Sequence, residues 1–152
     1  MDKLSKSTIK YRKSLVDLEK ELKRQAKTNK ELVIGDSDKF PLKHSFAYGI
    51  YVREMKMEKD TFVLGKIHQH DHIWFLLTGK LLIETGVGVE EYIAPCYVKA
   101  SGGTQRLIRA LEDSIFVNVH TNPNNTENIE ELEKEIIAKN YLEYENNKQL
   151  KL

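Results

Sequence analysis

The sequence predicts a mainly β protein, one eight-stranded sandwich or barrel held between an N-terminal and a C-terminal helix. Three observations lead there. From residue 47 to 120, short apolar stretches of period two follow one another with turn residues between them, at the roughly 8–12-residue spacing of all-β domains. A helical pattern precedes them, its seam positions alternating by four and three. A second helical pattern follows, opened by capping residues and early glutamates.

Size and composition agree with a single domain. The chain has 152 residues, 40% hydrophobic and 31% charged, enough to bury a core without disulfides or a structural metal. A formal charge of +1 gives no global field for DNA, RNA or anionic membranes. Cys96 is the single cysteine, which excludes an intramolecular disulfide and suits a reducing compartment. The start, Met1-Asp2-Lys3-Leu4, lacks a signal-peptide core, and no apolar run nears the ~20 residues of a membrane span. The expectation is a cytoplasmic protein without membrane contact.

Taken in order, residues 1–30 form the first helix, with Leu4, Thr8, Tyr11, Leu15, Leu18, Leu22 and Gln25 along one seam. That seam packs either on the body of its own protomer or on a second copy. Residues 31–121 form the β unit. Leu32-Val33-Ile34 is a short strand candidate, Gly35-Asp36-Ser37-Asp38 a turn, and Pro41 marks extended chain. Strands are predicted over 48–57, 61–67, 73–77, 80–84, 90–93, 97–100, 106–110 and 114–120. Residues 122–152 form the second helix and a fraying tail, with Ile129, Leu132, Ile136 and Tyr141 as its apolar stripe.

The densest chemistry lies between Gly65 and Gly79, where His68, His70 and His72 alternate ahead of Ile73-Trp74-Phe75-Leu76-Leu77. On one strand, alternate residues share a face, so three imidazoles could line one wall. If His72 faces inward, Trp74 and Leu76 follow it. On a regular strand, however, His68 and His72 stand ~13 Å apart, too far to share an ion. A bend at residues 69–71 would be needed.

The β unit resembles the cupin superfamily, small double-stranded β-helix barrels of the jelly-roll type. Gly79 matches the glycine that closes the first cupin motif, and six residues earlier His72 stands in the place of the family's glutamate. His68 and His70 lie near its H-x-H. The second motif leaves Pro95-Cys96-Tyr97, Gly103-Thr104-Gln105-Arg106 and Asn118, with Arg106 where the family has a histidine. From about residue 48 to 144 the chain is similar to small cupin-like proteins of tailed bacteriophages. Gly49-Ile50-Tyr51-Val52-Arg53-Glu54, Gly65-Lys66-Ile67-His68 and Val117-Asn118-Val119-His120 are among the shared marks. That group includes proteins that hide nucleotide signals of bacterial immunity. The resemblance therefore implies a jelly-roll barrel acting in the host bacterial cytoplasm, and the helical patterns leave it flanked by an N-terminal and a C-terminal α-helix.

Two functions follow. In the first, a homo-oligomer sequesters a cyclic dinucleotide-like immune signal without chemistry or cofactor, countering antiphage defence. Arg106 would hold phosphate as a bidentate donor, with His68, His70, His72, Thr104 and Arg109 adding donors and Trp74 and Tyr97 stacking on a base. The Gly102-Gly103 amides could approach an oxyanion. In the second, a metal-dependent cupin enzyme, of isomerase or dioxygenase type, acts on a small sugar or acid. One divalent first-row metal would then sit on His68, His70 and His72. Plainer readings run alongside: Trp74 as core, Arg106 paired with Glu112 or Asp113, and His120 as a satisfied strand-end histidine. A structural role in a virion is a third possibility.

Overall fold

The computed structural model describes residues 4–28 and 40–150, so the strand and turn expected over 32–38 lie outside the described residues. Helix α1 (Lys6–Ala26) opens on Ser5, whose side chain accepts from the Thr8 amide, as the first orphan N–H groups of a helix require. Its seam packs on the chain's own body. Leu15 is buried, and the Tyr11 hydroxyl is shared between the carbonyls of Gln105 (3.2 Å) and Glu84 (3.4 Å). Arg12 lies over the Tyr141 ring and pairs with Glu145 at 2.7 Å.

Two antiparallel sheets face one another. The larger is ordered β1 (Leu42–Ala47), β2 (Gly49–Met57), β10 (Ser114–Asn122), β5 (His72–Thr78) and β8 (Cys96–Ala100). The smaller is ordered β3 (Phe62–Leu64), β9 (Leu107–Ala110), β6 (Lys80–Thr85) and β7 (Gly88–Ile93). Strand β10 joins β2 to β5, so the chain's last long strand closes the sheet its early strands began. Cross-strand register gives the inner face: Met55 stands opposite Phe116, Phe116 opposite Leu76, and Trp74 opposite Val98. Trp74, Leu76, Leu81, Ile108 and Phe116 are nearly inaccessible and form the core between the sheets.

Gly79 links β5 to β6 at φ +83°, and a Cβ there would run into the Asp113 carbonyl and Ser114. Only glycine meets both demands. This is the closing glycine expected from the sequence.

Four boundaries differ from expectation. Strand β1, after Pro41, pairs with β2 throughout; its polar His44 and Ser45 had concealed it. The strand expected over 61–67 divides, because Gly65 and Lys66 lie outside regular pairing between β3 and β4 (Ile67–His68). The C-terminal helix also divides. Helix α2 (Ile129–Ile136) is capped by Asn128, whose side chain accepts from the Glu130 and Glu131 amides. Then β11 (Ile137–Ala138) pairs Ile137 with His68 and Ala138 with Ile67. Helix α3 (Tyr141–Leu150) includes part of the predicted fraying tail, because Tyr144 is buried against Ile67, Ala138 and Tyr141. Among the described residues, no helix is long and apolar enough to cross a membrane.

Candidate functional site

The bend at residues 69–71 is present. Strand β4 ends at His68 and β5 begins at His72, so the two rings stand 4.4 Å apart rather than a strand's length. His120 on β10 completes the group, with ring centroids 4.9 Å from His68 and 4.7 Å from His72. One nitrogen from each ring lies within 4.8 Å of the others, and all three residues are buried.

Two facing expectations are corrected here. The alternating histidines do not line one wall, since the bend turns His70 to the exposed side while His68 and His72 turn in. His120 is not a satisfied strand-end histidine: its Nε2 is buried without a hydrogen-bond partner. Parity puts His120 on the face of Asn118, and pairing sets these two opposite Tyr51 and Arg53 respectively.

The three imidazoles are held neutral. Burial pulls His72 down to about 4, with the Arg106 charge adding to it. Burial pulls His120 down to about 3, helped by His72. His68 lies well below its ordinary value for the same reason, with His72 and His120 contributing. His72 Nδ1 donates to the His70 carbonyl (3.4 Å), so its Nε2 is the acceptor, and that lone pair meets the Arg106 guanidinium. A neutral imidazole with a fixed tautomer is the form that ligates a metal.

Arg106, just before β9, enters the same chamber. Its guanidinium is buried, donates from Nη2 to His72 Nε2 at 3.4 Å, and leaves Nη1 without a partner. Trp74 and Phe116 flank it at 5.9 and 5.7 Å. The ion pair expected with Glu112 or Asp113 is not formed; the Asp113 carboxylate accepts from the Lys59 amide instead. Burial lowers Arg106 to about 10, so it is still cationic at neutral pH. Beside it lies a cavity of about 60 Å³, bordered on the polar side by Arg53, Lys66, His68, Arg106 and Asn118.

The other expected residues fall elsewhere. Trp74 is in the chamber wall but buried and packed against Tyr92 and Phe116, at 4.9 and 5.1 Å. Tyr97 points out of the barrel and packs on Phe75, because its neighbours Cys96 and Val98 take the inward positions. Arg109 is exposed, over Phe62 and paired with Asp60 at 3.1 Å. Thr104 lies in the loop before Arg106, its amide bonded to the Ser101 carbonyl. The amides expected to cradle an oxyanion are already engaged: Gly103 donates to the His68 carbonyl (2.8 Å) and Gly102 to Asp71 (2.9 Å). They brace the histidine bend.

The donor set fits a metal. Three neutral imidazoles converge, and the partnerless nitrogens of His68 and His120 are what an ion would satisfy.

No family model and no curated protein matches the sequence. Solved structures do. KdgF from Halomonas sp. aligns with a TM-score of 0.50 at 14% identity, over 62% of this chain and 86% of that one. A Cupin 2 conserved barrel domain protein from Salinispora arenicola CNS-205 aligns at 0.47 and 13%, over 56% and 76%. A cupin superfamily protein from Desulfitobacterium hafniense DCB-2 gives 0.48 and 7%, over 57% and 80%. At such identities the likeness concerns the fold alone. Between its two helical ends, this chain carries a cupin-type jelly-roll barrel.

Proposed function

We infer that the barrel is a metal-binding cupin whose chamber receives the anionic group of a small molecule. The observation that carries this is the convergence of His68, His72 and His120, buried and neutral, with nitrogens on His68 and His120 that find no partner among the described residues. Imidazole donors suit Zn, Fe, Ni or Cu among first-row divalent ions. Such an ion, when bound, supplies a Lewis acid that polarises an oxygen of the bound molecule. Arg106 sets the charge of that molecule. A guanidinium beside a divalent site is repelled by it unless an anion lies between, and its free Nη1 offers that anion a donor. The apolar flank of Trp74 and Phe116 keeps water from competing for Arg106.

Chelator-free purification followed by elemental analysis tests the reading. About one equivalent of a first-row metal is expected, lost in His120→Ala and kept in His70→Ala. Metal-free wild type, or loading indifferent to His120, overturns it.

A second reading keeps the arginine and drops the metal: a cupin that sequesters a nucleotide immune signal of the cyclic dinucleotide kind, as a homo-oligomer countering antiphage defence. Arg106, buried and bonded to no carboxylate among the described residues, favours it. A cavity of about 60 Å³ would take a phosphate and leave the bases outside, since Trp74 is already packed. Titration of metal-stripped protein with cyclic dinucleotides separates the two. Micromolar binding there favours sequestration, and its absence in a metal-loaded protein favours the first reading.

A further inference from the structure

The cavity of about 60 Å³ beside Arg106 and His68 is small for any organic ligand, yet a groove of about 990 Å³ shares lining residues with it. The groove runs between α1 and the α2–β11–α3 segment. Gly65 and Lys66 line both spaces, so one thin wall divides them. The polar part of that wall is an ion cluster. The Glu133 carboxylate from α2 accepts through the same Oε1 from Arg53 (3.2 Å) and from Lys66 (3.3 Å). Arg53 and Lys66 also face the inner cavity, where Arg106 is the third cation. Three cations thus border the chamber, and among the described residues a single carboxylate answers two of them.

Resting on the metal-and-anion reading above, we propose that Arg53 and Lys66 form a second anion site which Glu133 occupies in the absence of ligand. The ligand is then a small molecule with two anionic groups. One passes to Arg106 and the histidines. The other takes the place of the Glu133 carboxylate on Arg53 and Lys66, while the uncharged remainder lies in the groove. Glu133 serves as a built-in competitor and as the gate between groove and chamber. Because it is only one-third exposed and shares one oxygen between two donors, its exchange for a ligand carboxylate is close to an even swap of charge-assisted bonds. Binding by a molecule with one anionic group leaves the gate shut.

Calorimetric titration of the full chain, purified without chelator, with malonate, succinate and glutarate tests this, with propionate as the one-charge control. Glu133→Gln is expected to bind at least one dicarboxylate about tenfold more tightly than wild type, with little change for propionate. Glu133→Asp, which keeps the charge but cannot reach both cations, should show a smaller gain, and it serves if the glutamine variant fails to fold. Adding Lys66→Met to Glu133→Gln should remove the gain. Unchanged or weaker dicarboxylate binding in both variants overturns the gate, and an equal gain for propionate overturns the two-anion assignment. Metal content, measured on the same samples, reports separately on the histidine site.

Discussion

Taking a guanidinium out of water costs several kcal/mol unless an opposite charge and full hydrogen bonding compensate. Arg106 has one long bond to His72, two aromatic flanks and a free Nη1. Such a residue weakens the fold it sits in. Arg106→Met should therefore raise stability in urea unfolding by about 1–3 kcal/mol, as replacing buried charges with apolar groups can, while weakening dicarboxylate binding by at least tenfold. A loss of stability would mean that the guanidinium holds the barrel together. The arginine was legible in the sequence as an anion anchor because it stood where a family ligand was missing. His120 was not, because the facing of a lone histidine near a strand end depends on register, and register is set by pairing partners far away in the chain. Glu133 was hidden for the same reason: a glutamate on an amphipathic helix reads as solvated until the helix is docked.

At the level of elements, the site depends on a segment that looks peripheral. Leu132 and Ile136 anchor α2 against Tyr51, which stacks on His120 at 6.1 Å. Directly after α2, β11 pairs with β4 and fixes His68. Leu132→Ala should cost about 2–5 kcal/mol, the range for emptying a buried leucine site, and should also weaken metal retention, measured by competition with a chelator. Gly79→Ala offers a contrast. Its positive φ and the blocked Cβ position call for backbone movement, so several kcal/mol of stability should be lost. The central strands and α1 were readable because each turns one face towards the body of the protein, Trp74 and Leu76 on β5 and Leu15 on α1 among them. Strand β11 was not, since two residues inside a helical-period stretch leave no pattern to see, and the bend at residues 69–71 carries no glycine or proline to mark it.

For the molecule as a whole, α1 and the barrel are joined through Tyr11, whose ring also fills the space above Gly86. Burial, then the charge of Glu84, raises the Tyr11 hydroxyl to about 12. The sign is clear: the unfolded chain loses this proton near 10, whereas the folded chain keeps it until about 12. Stability from this contact is thus complete below pH 10 and declines between pH 10 and 12. Denaturation midpoints across that window should fall more steeply for wild type than for Tyr11→Phe. Parallel curves would show that Tyr11 ionises like a surface tyrosine. The overall plan, helix, barrel and helical end, was legible because composition and turn spacing constrain it. The site was legible only in part, since its members come from β4, β5, β10 and the approach to β9, and no local window contains more than two of them.

The pairing of β4 with β11 separates the barrel from the finished site. The barrel sheets are complete once Asn122 has joined β10, yet the strand bearing His68 finds its partner only in residues 137 and 138. A chain cut after residue 125 would keep the barrel strands with His68, His72 and His120 but have no α2, no Glu133 and no partner for β4. Such a chain would leave the histidines open on the side that the full chain guards. Metal would then have an unguarded second route into the same site.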